Sequence, residues 1–203
     1  AALPPPPTSG LQERDAPMAT LPTTGLTYVE ENEAAGEIAE LFDEIRRSLQ
    51  VPNVPKGFKA ISGSAAAFRA YWNMYSNFVT RTVLPEPLIA MVLYAIAESN
   101  DCRYCSALNE ASCRMFGIDD ATLTALARDL GHVTPHRVQA IVRFALMACH
   151  SPKALGREEF DTLRAHGLTD EEIIEITFLA AIGQMNDILA DAFKAEMDDM
   201  FIA

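Results

Sequence analysis

The chain has 203 residues, 49% of them hydrophobic, with 28 Asp and Glu against 16 Lys and Arg and a formal net charge of −12. That length suits a single domain able to bury a core without staples, and the acidity argues against nucleic acid or anionic membrane as partners, since both require clustered Lys and Arg. No apolar run is read as long enough to span a bilayer, no charged-then-apolar leader opens the chain, and the four cysteines form no scaffold, so a cytoplasmic protein is expected.

Residues 1–27 hold Pro4-Pro5-Pro6-Pro7, Pro17 and Pro22 among Ser, Thr and Gly, a composition of extended chain, read as an arm lying along the protein or a neighbouring subunit. Residues 28–203 read as one helical domain. Over 33–49, Ile38, Leu41, Phe42, Ile45 and Leu49 recur at the spacing of an amphipathic helix, which Val51-Pro52-Asn53-Val54-Pro55 stops. A short helix around 56–61 and a longer one over 65–82 follow. The longer one carries the aromatic stripe Phe68, Tyr71, Trp72, Tyr75, Phe78, which reads as core or subunit contact rather than a cofactor box.

Pro85-Glu86-Pro87 opens the next helix, whose apolar run ends at Asn100-Asp101. Either of these residues reads as the N-cap of a following helix that starts at Cys102 and stops at Gly117. Further helices are expected over 119–130, 135–150 and 157–165. The capping box Thr169-Asp170-Glu171-Glu172 then starts a final helix pair reaching about residue 200. No alternating strand pattern is convincing, so the fold class is all-α.

Cys102-Arg103-Tyr104-Cys105 is the chemical feature of the chain. In a helix's first turn the unpaired amides and the macrodipole favour thiolate, and the Cys-x-x-Cys spacing allows a disulfide across one turn. The same residues also admit two plainer readings, inert packing or half of a metal site. A metal site would need partners that neither Cys113, Cys149 nor His132, His136, His150 and His166 supplies in an evident pattern. An internal echo at a shift of 86 residues lays Asn100-Asp101 on Asn186-Asp187, as if one helix-break-helix unit were repeated about a pseudo-twofold, with the second copy serving as scaffold.

Several pieces in this order resemble the AhpD-like, or carboxymuconolactone decarboxylase, family in its peroxidase-related branch. They are the 33–49 helix with Val51-Pro52-Asn53, Leu84-Pro85, the Cys102–Cys105 centre, and the tail from Ala165-His166-Gly167 through Glu172 to Asn186-Asp187. The resemblance implies an all-helical, AhpD-like bundle that assembles into homo-oligomers. It also implies a dithiol that reduces alkyl hydroperoxides without bound metal or organic cofactor, Cys105 attacking and Cys102 exchanging the disulfide with a thiol reductant protein.

Active members of that family carry a relay His four residues after the second cysteine and a relay Glu twelve before the first. Here those positions are Asn109 and Ala90. Neither can exchange a proton near neutrality. Candidates for the missing help are Asn109, two turns beyond Cys102 on nearly the same azimuth, Glu86, one turn before Ala90, and Glu98, four residues before Cys102. Cys113, turned about 80° from Cys105, is expected to pack. The expected function is a Cys102/Cys105 oxidoreductase acting on a small hydroperoxide or a disulfide. The alternatives are a non-catalytic assembly or binding protein and, with less support because both cysteines are kept, a lyase.

Overall fold

A computed structural model describes residues 18–198; the first seventeen residues of the expected arm lie outside it. Nine α-helices occupy the described residues: α1 Gly36–Leu49, α2 Lys56–Lys59, α3 Ala65–Arg81, α4 Glu86–Ser99, α5 Arg103–Met115, α6 Asp120–Arg128, α7 His136–His150, α8 Arg157–Ala165 and α9 Asp170–Phe193.

The all-α expectation holds with one small correction. Residues 18–27 of the arm are folded, and the two-residue strands β1 (Ala19–Thr20) and β2 (Thr27–Tyr28) pair antiparallel around a turn with Gly25 at φ +70°. Two residues are too few to display the alternation by which a strand is read from sequence.

The fold is built around α4. Ten successive residues, Leu88–Ala97, are buried, because α5, α6, α7 and α9 pack around it on several sides; a helix apolar all round must be enclosed. A second cluster joins α1, α2 and α3 through Leu41, Phe42, Ile45, Phe58, Phe68 and Trp72. Phe58 meets Tyr71, Trp72 and Tyr75 at ring-centroid distances of 5.7, 5.8 and 5.9 Å. Phe68 and Trp72 of the aromatic stripe are therefore core, while Tyr71, Tyr75 and Phe78 are partly buried.

The junction between α4 and α5 differs from the expected cap. Asp101 lies in the left-handed region at φ +56°. Its N–H donates to the Glu98 carbonyl (3.2 Å) and that of Cys102 to the Ala97 carbonyl (3.0 Å). These two bonds are a Schellman termination of α4, and Cys102, not Asn100 or Asp101, is the N-cap of α5. Asp and Asn favour N-caps and tolerate left-handed positions alike, so the dipeptide marks a break without saying which role it takes. Left-handed backbone costs a non-glycine residue roughly 1–2 kcal/mol, while glycine's extra freedom in the unfolded chain returns about 0.4–1 kcal/mol of that gain. Asp101→Gly is accordingly expected to raise stability by up to about 1 kcal/mol, read as a higher urea midpoint.

The final helix pair is a single helix, and Asn186-Asp187 does not break it. Asn186 accepts from the Tyr71 hydroxyl (2.9 Å) and Asp187 from Asn100 (2.6 Å), so neither short side chain competes for its own backbone. With 24 residues and a mean hydropathy of 1.4 over an 18-residue stretch, α9 is long and apolar enough to cross a bilayer, contrary to the expectation that no run would be. In the fold it lies against α4 and α7, and at Gly183 an added Cβ would meet Ile96 and Leu93 side-chain carbons at 3.1–3.2 Å.

Candidate active site

Cys102, as N-cap, and Cys105, in the first turn of α5, are both buried and unpaired. The middle of α9 brings Asp187 to them. Its carboxylate is 3% exposed, and one of its oxygens and the two sulfurs all lie within 4.8 Å of one another. Asn100 Nδ2 fixes this carboxylate through Oδ2 at 2.6 Å and also reaches Gln184 Oε1 at 3.3 Å. The two halves of the internal echo therefore meet here, Asn100 of the first bonded to Asp187 of the second.

Only Cys105 of the pair belongs to a cavity wall. Cys105 lines a cavity of about 280 Å³, walled by Phe58, Tyr71, Tyr75, Leu93, Leu108 and Leu189, with the amides of Asn109 and Asn186 in its wall. Cys102 has no exposed surface and is absent from that lining. Ala195 and Met197 of the segment after α9 pack against the buried cluster that Cys102 and Cys105 form with Ala97, Tyr104 and Ala190. That segment is pinned by Asp198, whose carboxylate accepts from the Tyr104 hydroxyl (2.7 Å) and the Lys56 N–H (3.0 Å), while Tyr104 Oη accepts from the Gly57 N–H (2.9 Å). Gly57 is required there, because a Cβ would stand 2.8 Å from the Tyr104 ring.

Truncating Asp198 leaves buried donors without an acceptor, at about 1–3 kcal/mol for such a group. Asp198→Ala is expected to lower stability by about that amount and to speed alkylation of Cys102 in the native protein, measured by mass spectrometry of iodoacetamide-treated samples.

The expectation of easily ionised sulfurs is not met at Cys105. Hydrogen bonding with Cys102, burial and the nearby Asp187 charge push its thiol far above the ordinary range. A helix N-terminus contributes at most about 2 kcal/mol toward thiolate, and burial beside a carboxylate outweighs that. Asp187 is itself raised, chiefly by burial, against the lowering effect of hydrogen bonds from Asn100, Cys105 and Cys102. At rest Cys105 is therefore a thiol with a buried carboxyl group beside it.

The other sequence candidates are spread out. Asn109 lies in the cavity wall, its Nδ2 donating to the Cys105 carbonyl at 2.8 Å. Glu86 is exposed in the first turn of α4, about 20 Å along the helix from its cysteine end. Glu98 lines a separate surface depression with Asp101, Arg103, Glu110 and Met197. Ala90 and Cys113 belong to the main core, the thiol of Cys113 pushed up to about 12 by burial and Glu110. None of the four histidines lines the cavity; His150 contacts the Ser99 hydroxyl at 2.9 Å.

Asp187 was not among the sequence candidates. Its signal was its register, since Ile176, Ala180, Gly183, Asp187 and Ala190 share the buried face of α9 at helical spacing, and an acid on such a face needs a reason.

No protein-family model matches the sequence, and a comparison with curated proteins finds no match. Solved structures do resemble it. An alkylhydroperoxidase AhpD core, an uncharacterized peroxidase-related protein from Ralstonia eutropha JMP134, superposes with a TM-score of 0.76 at 22% identity over 85% of this chain and 90% of that one. An uncharacterized peroxidase-related protein from Silicibacter sp. TM1040 gives 0.72 at 20% identity over 81% and 86%. A variant of the debrominase Bmp8, in complex with 2,3,4-tribromopyrrole, gives 0.73 at 17% identity over 88% and 94%. The chain thus has the all-α AhpD-like fold, a fold shared by proteins described as peroxidase-related and by a debrominase.

Proposed function

We propose that the protein is a dithiol oxidoreductase that reduces small apolar organic hydroperoxides, with Cys105 as the attacking sulfur, Cys102 as the resolving one and Asp187 as the proton carrier. The observation that carries this reading is the placement of a buried carboxylate beside both sulfurs while only Cys105 lines an apolar cavity.

In the first step Asp187 takes the Cys105 proton as the sulfur attacks the distal peroxide oxygen. The O–O bond breaks, the alkoxide collects the proton as alcohol, and Cys105 becomes a sulfenic acid. Cys102 then attacks that sulfur, its proton passes to the departing hydroxide, and water and the disulfide result. The dithiol loses two electrons and the hydroperoxide gains them; a thiol reductant restores the pair. Asn109 and Asn186 orient the substrate from the cavity wall.

The test uses the reduced full chain and stoichiometric cumene hydroperoxide. A Cys102–Cys105 disulfide forming faster than a free thiol reacts is the expected result. No disulfide above that rate overturns the reading and leaves a non-catalytic, AhpD-fold binding or assembly protein.

The aromatic cavity wall and the debrominase likeness favour one second reading, reductive dehalogenation of a small halogenated ring. Two thiols and an aryl bromide would give the arene, the disulfide and hydrogen bromide; bromide release from a brominated pyrrole checks it. Self-association also belongs to the proposal. Ile174 and Phe178, four residues apart on α9, are 68% and 44% exposed, a face suited to a second copy, and light scattering in solution tests it.

A further inference from the structure

We infer that the reduced dithiol is also a site for a thiophilic divalent cation, Zn²⁺ by preference, held by Cys102 Sγ, Cys105 Sγ and one oxygen of Asp187. The inference rests on donor geometry and stands whether or not the pair reduces a hydroperoxide.

A metal site is judged by its donors, their spacing, the groups that orient them and a route in. The donor set is two thiolates and a carboxylate, each a ligand that Zn²⁺ takes in tetrahedral sites with one position left open. The three donor atoms already lie within 4.8 Å of one another. Ligands at zinc bond lengths of about 2.0–2.3 Å stand roughly 3.3–3.8 Å apart in a tetrahedron, so side-chain adjustments of about 1 Å close the site. The donors come from the start of α5 and the middle of α9, two packed helices.

An orienting group is present as well. Asn100 Nδ2 holds the Asp187 carboxylate through Oδ2 at 2.6 Å, the kind of outer contact that aims a ligand. The cavity that Cys105 lines provides the route and leaves the fourth position to water or a small ligand. Softness gives the selectivity: two sulfurs favour Zn²⁺ over Mg²⁺ or Ca²⁺, which prefer oxygen.

Binding releases the thiol protons. Oxidation to the disulfide removes two of the three donors, so metal and disulfide exclude one another, and a hydroperoxide that oxidises the pair would release the ion. Zinc would likewise protect the pair from oxidation.

The experiment uses the full chain, reduced and desalted without oxygen, with thiols counted before metal is added. Equilibrium dialysis against Zn²⁺ is expected to leave one ion per chain, and Co²⁺ to give thiolate charge-transfer absorption with the visible bands of a tetrahedral ion. Loss of an outer-shell partner typically costs about 10–100-fold in metal affinity. Asn100→Ala is expected to fall in that range, and Asp187→Asn, which removes a ligand, to lose more. The disulfide form of the wild type, which keeps every side chain, is expected to bind none, and circular dichroism confirms that each variant is folded. Absence of stoichiometric zinc with both thiols reduced, or retention of it by the disulfide form, overturns the inference. Neither result bears on whether the dithiol forms a disulfide with cumene hydroperoxide, so the two readings fail separately.

Discussion

Cys105→Ser is expected to abolish hydroperoxide-driven oxidation of the protein, while Cys102→Ser is expected to stop the reaction one step later, with a sulfenic acid trapped at Cys105. The asymmetry follows from access. Cys105 borders the 280 Å³ cavity, whereas Cys102 has no exposed surface and is absent from the cavity wall. A substrate entering the cavity meets the first sulfur and can meet the second only through it. A serine hydroxyl at Cys105 has no accessible anion near neutrality and cannot accept an oxygen atom, so hydroperoxide loss should fall to the rate of buffer. In Cys102→Ser, Cys105 still attacks but no resolving sulfur remains. Dimedone labelling with peptide mass spectrometry reads both outcomes. Labelling at Cys102 in Cys105→Ser would reverse the assignment of roles.

Much of this arrangement was legible along the chain, and what was not has identifiable causes. The uninterrupted apolar run of α4, the capping box at Thr169–Glu172 and the termination at Gly117 are local signals, and each is found where the sequence puts it. The Asn-Asp dipeptide misled twice. At Asn100-Asp101 the chain does turn, through a left-handed Asp101, and the cap passes to Cys102. At Asn186-Asp187 it does not turn, because both side chains are engaged by Tyr71 and Asn100 across the helix packing. Tertiary partners decided between identical local signals.

The same limit governed the search for a base. Glu86 and Glu98 were near the cysteines in sequence or in helical register, yet one lies at the far end of α4 and the other faces a different surface. The acid that does reach the sulfurs comes from α9, and only the meeting of the two echo segments brings it there. Both sulfurs could be picked out from spacing; the protonation of Cys105 could not, since it depends on burial, on Cys102 beside it and on a carboxylate from elsewhere in the chain.

Asp187→Asn is expected to slow oxidation of Cys105 by about 10²–10⁴-fold, the usual worth of a positioned general base. The amide is nearly isosteric and its oxygen can still accept from Asn100, so the fold and the cavity should survive. The pH dependence separates proton transfer from mere positioning. Groups facing the carboxylate are Cys102 and Cys105 from the start of α5, Asn100 before them, Cys149 from α7 and Asp191 on its own helix. Burial dominates among these influences and raises the Asp187 carboxyl above its ordinary value. The basic form therefore appears as pH rises through that raised value, and the wild-type rate should climb there and then level off. Asp187→Asn should lack this step and rise only at alkaline pH, where Cys105 loses its proton unaided.

Stability should move in the opposite sense. Because the folded state binds the Asp187 proton more tightly than the unfolded chain does, this contribution is fully present below the unfolded carboxyl value of about 3.9 and is lost as pH rises through the folded one. The stability of the wild type relative to Asp187→Asn should thus fall across the same window in which its rate rises, as measured by urea midpoints at pH values on either side. An Asp187→Asn protein that lost rate while keeping the wild-type pH step would assign the carboxylate a positioning role instead; Asn100→Ala, which keeps the carboxylate but removes a hydrogen bond that lowers it, is expected to retain the step and move it to higher pH.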